Sequence, residues 1–514
     1  MSAEMKFHCP TKILSGPDCV KKNAAEFKKF GTRALVVTGS SSAKLNGSLD
    51  DAMAALSLNE QEAVLFEGVP ANPGPECVYA GAARAKQEGC DFVLAIGGGS
   101  AIDAAKLIAM LAVSNIPEED LMAGQTGASC LPLVCVPTTA GTGSESTQYS
   151  ILTNHESETK TGIASPLLFP RLALLDSKYL ESAPRTVLAH TAVDSMSHSI
   201  EGLISARASD ATDALASKGL RLISECIDGL IRGKLSSVQR DRLMTASTLG
   251  GMVIANTGTT ALHAMGYSLT YYHGIDHGRA NGILLPSWLD AVAKTKPELT
   301  YKVLEALRMR STAELRQTLK EILGPSPVPE GFDPEKYAAK AMASKNIANC
   351  AAKPTLSEVI ETFKTSFDEG NAAQESGRPA ANGNSAPLAS ILPAETVRLI
   401  PYRFRDVPKG PTEVPLEIRL SENFKPGIPL PRAWDGRVFG YVRDNDELKK
   451  LFSGKMAEGY AHRKIYLNDM EENFRLTLES GSGEHESIFA VASSDVRTLL
   501  RNCRVQGEPQ DLIE

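Results

Sequence analysis

The sequence predicts three consecutive parts: an α/β domain with a parallel sheet, an all-α domain, and a C-terminal α+β segment of unknown fold. Short apolar stretches alternate with helical patterns in the first part, and helical periodicity alone continues through the second. A stretch rich in Ala, Gly, Asn, Ser and Pro, typical of a flexible linker, then separates these parts from the last. We expect domains at 1–182 and 183–367, the linker at 368–390 and the extension at 391–514.

The first part is predicted to contain a parallel sheet covered by helices. Its apolar stretches have the length and composition of buried strands, and they lie at 33–38, 61–66, 91–96 and 131–136. Helical patterns at 76–88 and 101–111 separate the later strands. Strand, helix and strand at this spacing are typical of parallel pairing.

The second part is predicted to be helical throughout. The helical stretches lie at 186–205, 209–231, 239–255, 259–268, 287–308, 311–323 and 335–367. The extension differs, because it mixes strand-like pieces at 465–470, 474–480 and 488–493 with a helical stretch near 445–457.

Composition excludes several classes of protein. The chain has 514 residues and a net charge of −7, so its length exceeds the roughly 250–300 residues that one core supports. It has no basic run typical of nucleic-acid binding and no apolar stretch of about 18 residues for a membrane span. The N-terminus does not resemble a secretory signal, and nine scattered cysteines without a CxxC pattern favour a reducing, cytoplasmic environment.

A run of three glycines marks the first candidate site. Gly97, Gly98, Gly99 and Ser100 follow a predicted strand and open a predicted helix. Glycines allow backbone N–H groups to approach an anion, and the helix N-terminus adds positive potential, so pyrophosphate binding is one interpretation. A tight strand-to-helix turn is the other. Ser100 and Asp103 have capping-box spacing, which predicts that they fix the start of this helix.

A loop rich in hydroxyls and glycines, at 137–145, follows the next predicted strand. Such a loop at the carboxyl end of a strand is suited to phosphate, ribose or nicotinamide contacts. A polar surface loop is the alternative, and the presence of the glycine turn beside it in the sequence favours the functional interpretation.

Asp194 and His198 are four residues apart in a predicted helix, so both side chains lie on one face. His263 and His277 follow downstream. One carboxylate and three imidazoles form a ligand set for a divalent transition metal. A single histidine of this kind is more often a core residue, but the clustering favours the metal site.

Four motifs in order resemble the iron-containing alcohol dehydrogenases, with closer similarity to the butanol-dehydrogenase-like branch. They are GGGSAIDAAK at 97–106, PTTAGTGSE at 137–145, AVDSMSHSIEG at 192–202 and ALHAMGYSLTYYHGIDHGRANGILLP at 261–286. The resemblance extends from about residue 5 to 367. It implies an N-terminal dinucleotide-binding domain, a C-terminal helical domain and an active site in the cleft between them.

The resemblance also assigns residues. It implies that Asp194, His198, His263 and His277 hold the metal. On the nucleotide it places Asn72, Gly97, Gly98, Gly99, Ser100, Thr138, Thr139, Thr142 and Lys160. We add Asp103, which belongs to the glycine motif, to the cofactor residues.

Tyr267 is a departure from many relatives, which carry a histidine four residues after the third ligand that is thought to help pass the proton. Three routes remain open here: Tyr267 itself, His273, or a chain of water molecules. Tyr267 and His273 are therefore the candidate catalytic residues.

The resemblance implies Fe²⁺ as the metal, with Zn²⁺ or Mn²⁺ as alternatives that imidazole ligands do not exclude. We expect NADP rather than NAD. An acidic residue at the end of the second nucleotide strand would repel a 2′-phosphate, and this chain has Gly39, Ser40 and Ser41 there, with Lys44 close by. A serine-rich turn without this role is the alternative.

These assignments predict an oxidoreductase that transfers a hydride between NADP(H) and a primary alcohol or aldehyde. A semialdehyde or hydroxy-acid reductase is the alternative, with Lys160 or Arg279 as the cationic anchor. We expect a cytoplasmic homodimer or larger oligomer with a small-molecule substrate, and no nucleic-acid or membrane partner. The extension at 391–514 is then a candidate interaction module.

Overall fold

The computed structural model describes residues 6–368 and six strands of the C-terminal part. The chain forms two compact units, Met1–Ala372 and Ala373–Glu514. The first unit contains β1 (Lys12–Ser15), β2 (Arg33–Gly39), β3 (Glu62–Val69), β4 (Phe92–Gly97), β5 (Leu133–Pro137), β6 (Tyr149–Asn154), β7 (Thr159–Ala164) and β8 (Leu172–Leu175).

Six of these strands form a parallel sheet in the order β1-β8-β5-β4-β2-β3. The four strands predicted from the sequence are β2 to β5, and the structure adds β1 and β8 at the other edge. Strands β4 and β5 are buried along their whole length, which explains their uninterrupted apolar sequences. Strands β6 and β7 form a separate antiparallel hairpin.

The sheet has a topological switch point between β2 and β4. From β2 the chain proceeds to β3 on one side, and from β4 it proceeds to β5 on the other. The connections therefore leave a crevice at the carboxyl ends of these two strands, where open α/β sheets bind ligands. The predicted glycine turn lies at this edge, directly after β4.

Six helices accompany the sheet: α1 (Cys19–Lys22), α2 (Ser42–Leu45), α3 (Ser48–Leu58), α4 (Pro75–Gln87), α5 (Gly99–Leu111) and α6 (Glu118–Met122). Helix α5 is almost entirely apolar and buried. It approaches α4 closely at Gly81, where a Cβ would lie 2.4 Å from the Ile108 side chain. Helices α4 and α5 pack in one core of the sheet and α3 packs in a second, as an α/β domain with helices on both faces requires.

Ten helices complete the first unit: α7 (Arg185–Leu203), α8 (Asp210–Ser224), α9 (Ile227–Arg232), α10 (Ser237–Thr257), α11 (Ala261–His273), α12 (His277–Thr295), α13 (Pro297–Leu307), α14 (Thr312–Leu323), α15 (Pro334–Met342) and α16 (Leu356–Lys364). The all-helical prediction is confirmed. Among the described helices, none is long and apolar enough to cross a bilayer.

Three of the predicted helical stretches are divided in the structure. The last of them, predicted at 335–367, is two helices, α15 and α16, with residues 343–355 between them. The stretch predicted at 287–308 is two helices, because α12 starts at His277, continues through Pro286, and gives way to α13 at Pro297. Proline is favoured in the first turn of a helix, where its missing N–H costs nothing. The stretch predicted at 209–231 is also divided, since α8 ends at Ser224 and α9 starts at Ile227.

The second unit contains an antiparallel sheet in the order β10-β9-β11-β12-β13-β14. Its strands are β9 (Thr396–Pro401), β10 (Leu416–Arg419), β11 (Val438–Val442), β12 (Arg463–Met470), β13 (Asn473–Glu479) and β14 (His485–Ala492). The last three coincide with the strand-like pieces predicted from the sequence. Residues 369–390 of the predicted linker and the helical stretch near 445–457 lie outside the described residues.

Candidate metal centre

Three helices bring the four predicted ligands together. Asp194 and His198 lie one turn apart on the buried part of α7. His263 lies in the first turn of α11, and His277 is the first residue of α12. Helix α12 begins directly against α7. This contact needs a glycine at position 278, because a Cβ there would lie 1.9 Å from the His190 carbonyl oxygen.

The ligand atoms converge on one carboxylate oxygen. Asp194 Oδ1 lies 3.7 Å from His277 Nε2, 3.8 Å from His263 Nε2 and 4.0 Å from His198 Nε2. These separations are too long for hydrogen bonds. The ligand atoms of Asp194, His263 and His277 all lie within 4.8 Å of one another, and the His198 ring stacks on His263 with centroids 4.8 Å apart.

A buried carboxylate behind the cluster orients His263. Glu201 Oε2 pairs closely with His263 Nδ1, and Glu201 Oε1 accepts from the backbone N–H of Thr260 at 2.7 Å and its hydroxyl at 2.6 Å. A hydrogen bond at Nδ1 directs the Nε2 lone pair of His263 toward Asp194. Metal-ligating histidines in proteins usually have such a carboxylate partner.

The protonation states also suit a metal. Burial lowers the pKa of His198 and of His277, and the positive charge of Lys160 lowers that of His277 further. Burial also disfavours protonated His263, but the Glu201 carboxylate outweighs this effect and raises its pKa. The lowered pKa values favour the neutral form of His198 and His277, which is the form of imidazole that binds a divalent cation, and the charge of Glu201 lies on the side of His263 that faces away from Asp194. The residues present therefore fit the metal.

The glycine turn lies at the carboxyl end of β4 and packs against the loop that follows β5. A Cβ on Gly98 would lie 3.0 Å from Thr139 Oγ1, and one on Gly99 would lie 2.5 Å from Thr142 Cγ2. The Thr138 N–H donates to the Gly97 carbonyl at 2.9 Å. Only glycine allows these two loops to approach so closely.

Asn72 and Lys160 join this edge to the metal cluster. The Asn72 N–H donates to Ser100 Oγ at 3.3 Å, and Lys160 Nζ donates to Asn72 Oδ1 at 2.8 Å. The same Lys160 Nζ lies 6.0 Å from the centroid of the Tyr267 ring, which stacks on His277. Burial lowers the pKa of Lys160 to about 8, against the attraction of nearby carboxylates.

Comparison with known proteins agrees with this arrangement. The sequence profile of the iron-containing alcohol dehydrogenases matches residues 10–177, and the profile of that family's C-terminal domain matches residues 188–325. The NADH-dependent butanol dehydrogenase B of Clostridium acetobutylicum is 32% identical over 59% of this chain and 78% of that protein. The chain belongs to the iron-containing alcohol dehydrogenase family. It is an oxidoreductase.

Two further relatives define the extent of the similarity. The NADPH-dependent butanol dehydrogenase of Clostridium saccharobutylicum is 30% identical over 59% of this chain and 78% of that protein. The crystal structure of an iron-containing alcohol dehydrogenase from Thermotoga maritima is 35% identical, covers 70% of this chain and 99% of that one, and superposes with a TM-score of 0.66. That structure confirms the predicted fold of this dehydrogenase, a parallel-sheet domain followed by a helical domain.

The two candidate catalytic residues of the enzyme lie in different surroundings. The Tyr267 ring is stacked on His277, with centroids 5.5 Å apart and planes 21° apart, and burial raises the pKa of its hydroxyl. His273 is the last residue of α11, and its Nε2 lies 2.8 Å from Tyr337 Oη. Tyr267 therefore lies against a predicted metal ligand, whereas the ring of His273 is engaged by Tyr337.

The capping box predicted for Ser100 and Asp103 was wrong. Helix α5 begins at Gly99 after an N-cap glycine, with no side-chain cap. The Asp103 carboxylate instead accepts from Ser144 Oγ and, at 3.1 Å, from the Ile151 N–H. It holds α5 to the loop after β5 and to the hairpin, so its assignment to the cofactor stays a prediction.

Gly39, Ser40 and Ser41 lie where the second nucleotide strand ends. Gly39 is the last residue of β2, and Ser41 is the N-cap of α2. Lys44 in α2 forms an ion pair with Glu67 of the neighbouring strand, with Nζ 2.5 Å from Oε1. The lysine expected near a 2′-phosphate thus already has a carboxylate partner.

Sequence reasoning missed Glu201 and Lys106. Glu201 follows His198 by three residues and Asp194 by seven, so the spacing places all three on one face of α7. The fully buried Lys106 donates to Ser144 Oγ at 2.7 Å, Thr147 Oγ1 at 3.0 Å and the Tyr149 carbonyl at 2.6 Å. Spacing was a usable signal for Glu201, whereas the partners of Lys106 lie in a loop whose path the sequence does not show.

Proposed function

We propose that this enzyme interconverts a primary alcohol and its aldehyde with NADP(H), and that Asp194, His198, His263 and His277 hold a divalent metal. The observation that carries the proposal is the convergence of three imidazoles on Asp194 Oδ1 at 3.7 to 4.0 Å. Lys160 supports it, because its contacts with Asn72 and Tyr267 join the glycine-turn edge to the cluster.

A divalent ion held there supplies Lewis acidity to a substrate oxygen, and a bound nicotinamide carries the hydride. The chain's own part is to hold these groups and to position the substrate. Glu201 fixes the orientation of His263, and Asp194 contributes the negative charge. We propose Fe²⁺ as the metal, because the chain belongs to the iron-containing family. Zn²⁺ and Mn²⁺ are compatible with the same donors.

For the proton we favour Tyr267 over His273. Burial keeps the Tyr267 hydroxyl protonated across the neutral range, since it raises the pKa. Its ring stacks on His277, one of the residues that would hold the metal. His273 is hydrogen-bonded to Tyr337, so it would need to break that contact before acting.

We propose NADP as the preferred coenzyme. The residues after β2 carry no carboxylate, and Lys44 is close enough to contribute positive charge. The Lys44–Glu67 pair is exposed, so a 2′-phosphate can compete with Glu67 for the lysine at small cost. Measuring kcat/KM for NADPH and NADH tests this proposal, and a tenfold preference for NADH would contradict it.

The geometry favours an uncharged alcohol over a hydroxy acid. A carboxylate substrate needs a cationic anchor. Arg279 is engaged, since its guanidinium donates to the carbonyls of Leu323 and Pro325 and to Ser326 Oγ. Lys160 donates to Asn72.

The test of the whole proposal is metal analysis of the purified protein, followed by an anaerobic panel of alcohols, aldehydes, hydroxy acids and semialdehydes with both nicotinamides. We expect about one divalent ion per chain, turnover of primary aldehydes with NADPH, and loss of activity in air. Turnover of acids alone would favour the reductase alternative.

We further propose a cytoplasmic homo-oligomer in which residues 391–514 form an interaction module. All eight cysteines within the described residues are free, as a reducing compartment requires. The family profiles end at residue 325, before the second unit. Truncation at residue 372 tests the module: unchanged kinetics with a smaller oligomer or a lost partner supports it, and collapse of activity contradicts it.

A further inference from the structure

One amide side chain faces the metal ligands from within the cluster. Asn281 lies one turn after His277 on α12 and is fully buried. Its Nδ2 lies 3.3 Å from Asp194 Oδ1, 3.3 Å from His263 Nε2 and 3.4 Å from His277 Nε2. A single nitrogen therefore contacts three of the four proposed ligand atoms.

This orientation of the carboxamide satisfies the ligands but cannot bind a cation. An amide nitrogen carries two hydrogens and no available lone pair, so Nδ2 can only donate to the carboxylate and to imidazole nitrogens. A cation would use those same lone pairs and would repel the N–H groups. The amide oxygen, which is the atom a hard cation prefers, points the other way.

The oxygen end of Asn281 is unpartnered. Its Oδ1 is buried without a hydrogen bond among the described residues. It lies against Gly266 of α11, where a Cβ would come within 2.2 Å of it. A buried polar atom without a partner costs free energy, and rotation of the carboxamide by half a turn exchanges its two ends with almost no change of shape.

We propose that Asn281 is a further residue of the metal centre with two working orientations. In one, Nδ2 donates to Asp194 and the imidazoles; in the other, Oδ1 faces the bound cation as an additional oxygen donor. The inference rests on the proposed ligand set. It makes Asn281 a determinant of metal affinity and coordination.

The experiment titrates the metal-stripped, full-length chain with Co²⁺. The readouts are Kd by chelator competition and the visible absorption of the bound ion. Asn281→Leu removes both ends of the amide at similar volume, so we expect a Co²⁺ Kd about tenfold higher, as for the loss of other groups around a metal. The visible bands should also change, because an oxygen donor is lost. Asn256→Leu, on α10, where the amide contacts His8 and the Met252 carbonyl and none of the proposed ligands, is the control and should leave both readouts unchanged.

Asn281→Asp provides the opposite test. It places a carboxylate oxygen toward the ligands in either orientation, so we expect Co²⁺ to bind about tenfold more tightly. The metal-stripped variant should melt at a lower temperature, because the new charge lies beside Asp194. This variant keeps the shape of the side chain and decides the matter if Asn281→Leu does not fold.

A wild-type Kd and spectrum in folded Asn281→Leu, or Co²⁺ binding no tighter than wild type in Asn281→Asp, overturns the inference. His277→Ala separates this failure from failure of the ligand set. If His277→Ala loses Co²⁺ while Asn281→Leu retains it, only the role of Asn281 is wrong. If His277→Ala binds Co²⁺ as wild type does, the ligand set and this inference fall together.

Discussion

The proposed metal cluster and the glycine-turn edge of the sheet, called the nucleotide edge below, differ in how their side chains are packed and hydrogen-bonded. In the cluster, the imidazole nitrogens of His198, His263 and His277 face Asp194 Oδ1 without a hydrogen bond to it, at 3.7 to 4.0 Å. At the edge, Lys106 makes three hydrogen bonds and the turn at Gly98 and Gly99 packs tightly on threonines, while the buried Thr138 Oγ1 has no partner among the described residues. The ligand atoms of the cluster are placed to bind a cation, whereas the close packing at the edge fixes the conformation of the two loops. Changes in the cluster should therefore remove metal, whereas changes at the edge should alter nucleotide binding while the metal stays.

The largest effect is expected from removal of a ligand. His263→Ala and His277→Ala should each lose the metal, and kcat should fall at least about 10³-fold, because Lewis acidity is worth several kcal/mol at the transition state. Metal analysis and steady-state turnover of an aldehyde measure both. His155→Ala, in which an exposed histidine beside Tyr271 is removed, is the control. Retention of metal and turnover in both ligand variants would sink the assignment.

The next effect concerns the carboxylate behind His263. Glu201→Gln cannot hold His263 with the same charge, so we expect metal affinity to fall about 10- to 100-fold. Chelator competition measures it. Glu145→Gln is a matched control, since Glu145 is equally buried but accepts from Thr248 instead of a ligand. Equal losses in the two variants would mean that burial, and not the contact with His263, is responsible.

At the nucleotide edge, Gly99→Ala should raise the KM for NADPH about tenfold while metal content stays at its wild-type value. The new Cβ would lie 2.5 Å from Thr142 Cγ2, and overpacking of this kind costs about 1–3 kcal/mol. Adding Thr142→Ser removes that methyl group and should restore part of the affinity. Loss of metal from Gly99→Ala would show that the two regions are not separable.

The smallest effect is expected at the exposed ion pair. Glu67→Gln frees Lys44 and should raise the ratio of kcat/KM for NADPH over NADH about fivefold, in line with about 1 kcal/mol for an exposed pair. Glu62→Gln, at the other end of β3 and paired with Arg33, should leave the ratio unchanged. A ratio that falls in Glu67→Gln would place the 2′-phosphate elsewhere.

Much of the framework follows from local pattern. The apolar runs predict β2 to β5 to within two or three residues, and i, i+4 spacing predicts that Asp194 and His198 share a face of α7. The helix boundary at Pro297 was missed, because helical periodicity is present on both sides of this proline. Proline is tolerated in the first turn of a helix, so it marks the start of α13 here. The short strands β1 and β8, of four residues each, carry too little sequence to show a period.

The sequence by itself determined the alternation of strands and helices, the change to an all-helical part, and the helix face that Asp194 and His198 share. These follow from propensity and from periodicity, which act over a few residues. Only the tertiary structure decided the sheet order that brings the ends of β2, β4 and β5 together. It also decided that Glu201 pairs with His263, that Asp103 binds Ser144 instead of capping α5, and that Asn281 contacts Asp194. Each is a contact between segments distant in the chain, so it depends on how helices and strands pack and not on the spacing of residues within them.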